Sequence, residues 1–226
     1  MSEGDGMSAE GMRELLRALP VFPERLPEFD TSAAPAEPVV LFLWWLREAV
    51  ETGVLGPHAM TLSTADAEGR PASRVLICKD VGDDGRWYFA SSANSLKGRH
   101  LAVNPSAALT FYWPALGRQI RIRGSVAPAG ETASAADFLA RHPDSRAEAL
   151  IGRQSEVLDD PADLDEASAR AQAMIAADPG LVAPSWTLYA VTAGDVEFWQ
   201  AGHDRRHIRL RYERGEDAWT RHRLWP

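Results

Sequence analysis

The chain of 226 residues contains one cysteine, Cys78. That excludes an internal disulfide and suits a reducing compartment. A thiolate cluster is excluded with it. The six histidines (His58, His100, His142, His203, His207 and His222) form no H-E-x-x-H pair, so no metal site is expected. Long apolar runs are missing too: the longest, residues 39–46, falls well short of the roughly 20 residues that a spanning helix needs. Met1-Ser-Glu-Gly-Asp5 has no basic stretch leading into an apolar one, so no secretory signal is read there. Neither G-x-G-x-x-G, G-x-x-x-x-G-K-[ST] nor G-x-S-x-G occurs, which argues against a Rossmann fold, a P-loop or a serine hydrolase. Positive charge is scarce: 24 Lys and Arg against 32 Asp and Glu leave a net −8. Wholesale binding to nucleic acid is therefore not expected, although a local basic pocket is allowed. These absences together predict a soluble cytoplasmic protein without a membrane or nucleic-acid partner.

What is present is enough for a full core: 45% of the residues are hydrophobic. The length fits one domain with an appended arm. Residues 1–36 are rich in Gly, Glu, Pro and Ala; a short helix over 12–19 gives way to Pro20, Pro23 and Pro27. A flexible or partner-draped arm is expected there, followed by the domain at 37–226. The spacing predicts a helix over 38–52, with Val39, Phe42, Leu46 and Val50 inward beside Trp45 and Ala49. Arg47, Glu48 and Glu51 would face out, and Gly53 would end it.

Strands follow over 58–64 and 72–79, joined by a hairpin turn at 66–70, and then over 87–91 after a turn at 82–85. Ser95 reads as the N-cap of a short helix with Lys97 in its first turn, a ready though common phosphate site. Further strands are expected over 107–113, 118–126, 186–192, 196–200, 205–212 and 218–224, with helices over 134–141 and 167–177. Short strands, hairpin turns and few helices predict a mainly β protein, an antiparallel barrel with helical additions.

The densest chemistry lies at Glu197-Phe-Trp-Gln-Ala-Gly-His-Asp-Arg-Arg-His-Ile-Arg209. On an extended strand Arg205, His207 and Arg209 would share one face. Such a row is either a solvated edge strand or a site for an anion. Arg74, Lys79, Gln119, Arg121 and Arg123 add polar and cationic groups on other strands. A barrel that gathers these groups into one mouth would bind a phosphorylated or carboxylated ligand.

An ordered set of short motifs then carries a resemblance. The pieces are Arg74-Val-Leu-Ile-Cys-Lys79, Phe89-Ala-Ser91, Ser95-Leu-Lys-Gly98, Asn104-Pro105, Phe111-Tyr-Trp113 and Gly117-Arg-Gln119. Arg141, Ser145, Gln154-Ser155, Glu197-Phe-Trp-Gln200, Arg205-x-His207-x-Arg209 and Arg223-Leu-Trp-Pro226 complete it. Across residues 38–226 the chain resembles the pyridoxamine 5′-phosphate oxidase family, dimeric flavoproteins with a split β-barrel and FMN at the subunit interface. The resemblance implies FMN contacts from Arg74, Val75, Lys79, Ala90, Ser91, Lys97, Gln119, Gln154, Ser155, Trp199 and Arg209. It implies substrate contacts from Lys79, Arg141, Ser145, Arg205 and His207, with Arg205 and His207 as the catalytic pair over the flavin face. Oxygen would be the final acceptor.

The departures concern substrate. Asp137 stands where vitamin B6 oxidases have a phosphate-binding tyrosine; it would repel a phosphate unless it points away or pairs with Arg141. Leu96 replaces an arginine beside the FMN-binding lysine. Phe22-Pro, Pro27-Glu-Phe-Asp30 and Leu62-Ser-Thr-Ala-Asp66 are similar to the phenazine-biosynthesis branch, whose members oxidise reduced tricyclic N-heterocycles carrying carboxylates. Lys79 instead looks like a vitamin B6 feature. The implied substrate is thus a phenazine-precursor-like heterocycle, with pyridoxine or pyridoxamine 5′-phosphate as the alternative. A non-catalytic split barrel holding flavin or haem is the alternative of another class.

Overall fold

A computed structural model describes residues 9–226. Its helices are α1 (Ala9–Ala18), α2 (Pro38–Glu51), α3 (Leu96–Val103), α4 (Glu131–Leu139), α5 (Pro143–Ile151) and α6 (Pro161–Ala177). Its strands are β1 (Ala59–Ala65), β2 (Pro71–Ile77), β3 (Asp80–Val81), β4 (Trp87–Ser92) and β5 (Ser106–Trp113). β6 (Arg118–Pro128), β7 (Trp186–Gln200), β8 (Ile208–Arg214) and β9 (Trp219–Arg223) complete the set. All pairs are antiparallel, in the order β2-β1-β5-β6-β7-β4-β3, with β8 added to β7 and β9 to β8. The sheet curls into a half-barrel, the antiparallel split barrel that the strand pattern predicts.

The core is aromatic. Phe42 of α2 meets Phe111 at 4.9 Å and Trp87 at 5.8 Å, and Trp45 meets Phe198 at 5.2 Å, all edge-on. Edge-on packing sets the positive ring edge against the negative face and adds about 1 kcal/mol per pair beyond burial. Phe22 and Phe29 bring the N-terminal segment onto this body. Phe29 packs on Trp45 at 4.9 Å, and the Tyr212 hydroxyl donates to the Pro35 carbonyl at 2.8 Å.

Several expectations are corrected. Residues 186–200 form one strand, not two. The break read at Ala193-Gly194 is a bulge, where the register shifts between Arg123 and Gly124 without ending the pairing. A Cβ on Gly124 would lie 2.1 Å from the Thr192 carbonyl oxygen, so this crossing requires glycine. On α2 the buried face centres on Leu41, Phe42, Trp45 and Ala49, and Val50 turns to solvent. Glu48 is no simple outward residue, for it pairs with the buried Arg118 at 2.7 Å. Residues 143–151 are helical, started by Pro143 in the first turn and capped by the His142 ring. α6 begins at Pro161 behind the Asp160 cap, six residues before the alanine-rich stretch. β8 begins only at Ile208. Arg205 sits in the preceding turn at φ +62°, so Arg205, His207 and Arg209 do not line one strand face.

Candidate active site

The principal cavity, about 660 Å³, opens between β2, β4, α3, the turn after α4, α5 and α6. Lys79, Ala90, Ser91, Lys97, Arg141, Ser145 and Gln154 all line it, beside an apolar wall that includes Leu76, Ile77, Ile151, Val157, Leu158, Leu164 and Trp186. Arg74 stands behind Lys97. Its Nη1 donates to Thr64 Oγ1 at 2.8 Å and to the Leu62 carbonyl at 3.3 Å. Thr64 in turn shares a 3.1 Å hydrogen bond with His100 Nδ1. Because Arg74 can only donate, the Thr64 hydroxyl proton is free to point at His100.

Lys97 is placed by the start of α3. Ser95 caps that helix, accepting from the Gly98 N–H at 3.3 Å, and a Cβ on Gly98 would lie 2.3 Å from the Ala93 carbonyl oxygen. The close turn aims Nζ into the cavity, where it donates to Ser95 Oγ at 3.1 Å and to Gln154 Oε1 at 2.8 Å. Burial, and then the neighbouring Arg74, push the Lys97 ammonium from 10.5 down to about 8. Desolvation likewise lowers Arg74. Neither cation has a carboxylate within 4 Å among the described residues. Two desolvated cations with no anion make a socket for a phosphate.

The helical wall carries a second cationic group. The Arg141 guanidinium lies 4.0 Å over the Trp186 ring and donates to the Ser145 carbonyl at 2.8 Å. Its Nε is buried with no acceptor. Burial lowers its pKa, against the opposing pull of Asp137 and Glu148. Of the two arrangements left open for Asp137, pairing with Arg141 is not the one found. Its Oδ1 lies 3.3 Å from Lys79 Nζ, and Oδ2 accepts from Trp186 Nε1 at 2.8 Å.

The remaining residues named from the sequence gather elsewhere. Gln119 pairs with Trp199 across β6 and β7, and Trp199 pairs with Arg209 across β7 and β8, so the three form a row on the outer sheet face. His207 packs against Trp199 with ring centres 4.9 Å apart. Its Nδ1 accepts from the Gly202 N–H at 3.1 Å, which leaves Nε2 as the donor of the neutral ring. Phe22 lies against both rings, at 5.8 Å and 6.4 Å. Arg205 is exposed in the adjoining turn. Among the described residues only Ser155 (φ +79°) and Arg205 (φ +62°) take the left-handed backbone without being glycine, and both are candidate site residues. Val75 is exposed on the edge strand β2.

The cationic mouth expected from spacing alone is thinner than it looked. Glu197 ion-pairs with Arg121, and with Arg209 at 2.8 Å; Asp195 pairs with Arg211, and with Arg123 at 3.2 Å. Burial raises both carboxyls, but their arginines more than offset it and hold them below the usual range. Arg121 and Arg123 are therefore neutralised on the outer face. Sequence reasoning also missed Trp186, Thr64 and His100 as members of the site. Their roles come from contacts 10 to 49 residues apart, across strand pairs and helix packing that a single sequence does not specify.

The cavity and the Trp199 row lie at opposite ends of β7. Trp186 lines the cavity, and Trp199 is 13 residues further along the same strand. A strand rises about 3.3 Å per residue, so roughly 40 Å of extended chain separates them before curl is counted. Residues 46–216 match the family model described as pyridoxamine 5′-phosphate oxidase. The chain belongs to the pyridoxamine 5′-phosphate oxidase family. Pyridoxine/pyridoxamine 5′-phosphate oxidases of Pseudomonas paraeruginosa and Thermosynechococcus vestitus are 39% and 40% identical to it. The matches cover 85% and 90% of this chain, and 90% and 94% of theirs. Among solved structures, PhzG of Burkholderia lata, crystallised with tetrahydrophenazine-1-carboxylic acid, superposes with a TM-score of 0.82 at 31% identity. That match covers 89% of this chain and 99% of PhzG. An FMN-binding protein of Nostoc punctiforme shares the fold, with a TM-score of 0.68 at 17% identity over 85% of this chain and all of its own. The family is that of oxidoreductases with this split barrel. Among the described residues no helix is long and apolar enough to cross a membrane, and no His, Cys, Asp and Glu cluster could hold a metal.

Proposed function

We propose that the protein is an FMN-dependent oxidase that removes hydride from a reduced N-heterocycle, with O₂ as final acceptor and hydrogen peroxide as product. The observation that carries the cofactor is the pair of buried Lys97 and part-buried Arg74, mutually repelling and without a carboxylate partner. A phosphate dianion satisfies both, and Ser91 beside Ser95 adds hydroxyls to the same wall. Bound FMN would supply the hydride acceptor and the route of electrons to oxygen. The protein's share is placement: Lys97 and Arg74 grip the phosphate end, and Gln154 orients Lys97. Arg141 and Ser145 hold the anionic end of the substrate in the helical wall, against Trp186.

Gln119, Trp199, His207 and Arg209 belong to this reading only if a second copy brings its row to the first copy's cavity. The proposed assembly is therefore a homodimer with two composite sites. In it His207 offers an Nε2–H donor to the reacting ring or to the electron-rich edge of the cofactor. A single cysteine agrees with a cytoplasmic location.

For the substrate, the apolar wall of the cavity and the similarity to PhzG favour a phenazine-precursor-like tricycle. A second reading, synthesis of pyridoxal 5′-phosphate from pyridoxine or pyridoxamine 5′-phosphate, is favoured by the relatives at 39–40% identity and by Lys79, Arg141 and Ser145 in the wall. Purified protein should be yellow or become so with added FMN. A peroxide-coupled assay should show turnover of a dihydrophenazine carboxylate and little of pyridoxine 5′-phosphate. The opposite ranking would reverse the two readings, and a protein that takes up no flavin would defeat both.

A further inference from the structure

Behind the wall of the cavity stands a carboxylate, held against two of the lining residues, where an anion-binding wall would be expected to be backed by cations alone. Asp137 lies 3.3 Å from Lys79 Nζ and accepts from Trp186 Nε1 at 2.8 Å. It is held there firmly. The next residue, Phe138, is fully buried against Trp186 at 5.9 Å, and Ser134 Oγ one turn earlier accepts the Leu188 N–H of β7 at 3.0 Å. α4 is thereby pinned to the sheet, which keeps Asp137 beside Lys79 and Trp186. Arg141, stacked on the other side of the same indole, is left as the cation with an unsatisfied buried N–H.

Formal charges then decide the ligand. Lys79 and Arg141 bring two positive charges, and Asp137 cancels one, leaving at most a single positive charge at the anchor. Glu148, exposed on the cavity rim and close enough to act on Arg141, lowers this remainder further, though weakly because solvent screens it. A carboxylate carries one negative charge and matches that remainder. A phosphate monoester carries about two at neutral pH, and its second charge would face Asp137 across Lys79 in a partly desolvated wall. We propose that Asp137 is a specificity-determining residue that sets the substrate anchor to a monoanion, so that the wall accepts a carboxylate and discriminates against a phosphate dianion. The proposal rests on the reading of this cavity as the substrate site.

The test uses the flavin-loaded protein and two coloured probes, phenazine-1-carboxylate as monoanion and pyridoxal 5′-phosphate as dianion, titrated by calorimetry or difference absorbance. Wild type should bind the carboxylate at least about tenfold more tightly than the phosphate. Asp137→Asn keeps an oxygen acceptor for Trp186 and removes the charge. It should tighten the phosphate about tenfold and move the carboxylate by less than about threefold. Asp137→Glu keeps the charge and should behave as wild type. Flavin content and melting temperature check that each variant is folded. An Asp137→Asn variant that shifts both ligands equally, or leaves the phosphate unchanged, overturns the proposal. Arg141→Met separates the two levels of the argument. If it weakens both ligands while Asp137→Asn moves neither, only the role of Asp137 falls. If it leaves both affinities intact, the cavity is not the substrate site, and both readings fall.

Discussion

Titration of Lys97 gives the most direct test of the phosphate socket. Lys97 is only 6% exposed, and its ammonium donates to Ser95 and Gln154 and faces Arg74 with no carboxylate within 4 Å among the described residues. Burial and Arg74 lower its pKa from 10.5 to about 8. At about 1.36 kcal/mol per pKa unit, the charged form costs the apoprotein roughly 3 kcal/mol. The unfolded chain keeps this proton up to its higher pKa, and the folded chain only to about 8. Between those values the unfolded state binds more protons, so apoprotein stability rises with pH; below pH 8 the full cost is present. A phosphate dianion beside Nζ restores the charge, so binding above pH 8 must take up a proton. FMN affinity should then fall about tenfold between pH 7 and pH 9, and the stabilisation by saturating FMN should shrink by about 1.4 kcal/mol. Flavin fluorescence titrations across that range give the affinities. Calorimetry in two buffers of different ionisation enthalpy gives the proton uptake, which should approach one at pH 9. Lys97→Arg stays charged throughout and should flatten the profile. A flat wild-type profile, or an unchanged slope in Lys97→Arg, would refute the reasoning.

Other expectations follow from the same contacts. Arg205→Ala and His207→Ala should lower turnover at least tenfold while flavin content stays near wild type, and Lys97→Ala should strip flavin first; equal flavin loss in all three would contradict the division of labour. Gly98→Ala forces a Cβ to 2.3 Å from the Ala93 carbonyl and should cost about 3 kcal/mol or more of stability, read by urea denaturation, with flavin lost in parallel. The Cys78 thiol, pushed up to about 11 by burial, should resist alkylation by iodoacetamide at pH 7.5 in the native protein and react after unfolding.

Local order was largely legible in the sequence, for a physical reason. Hairpins, caps and helix faces are set by neighbours within about four residues: the Asp66–Arg70 turn with Gly69 at φ +79°, the Ser95 cap, and the aromatic face of α2. Pairing partners were not legible. Nothing near Arg121 or Arg123 announces Glu197 and Asp195, which meet them across a strand pair some 70 residues away. The break read in β7 has the same origin. Ala193-Gly194 looks like a turn in isolation, and becomes a bulge only because β6 supplies Gly124 opposite it. Asp137 is intermediate. Its proximity to Arg141 in sequence left open whether the two pair or Asp137 points away; a helix end and a proline-started second helix direct Arg141 onto Trp186 and leave Asp137 to Lys79.

The bulge also bears on how the site is assembled. β7 runs unbroken from the cavity wall at Trp186 to the outer row at Trp199, and every residue of it is hydrogen-bonded into the sheet or sits in the one bulge. A loop at 193–195, as the sequence alone suggests, could have folded the two groups toward each other within one chain. A continuous strand cannot, because bending it back would break ladder bonds to β6 along its whole length. The rigidity that separates the two halves in one copy is therefore what obliges the proposed flavin site to be completed by a second copy. In the proposed site Arg74 and Lys97 would supply phosphate-binding charge at one end, and Trp199, His207 and Arg209 of the other copy would supply ring contacts. Dilution below the dimer dissociation constant should accordingly release flavin and abolish turnover together, even though each chain keeps its own phosphate socket. Flavin retained by a demonstrated monomer would mean that the cavity alone holds the cofactor.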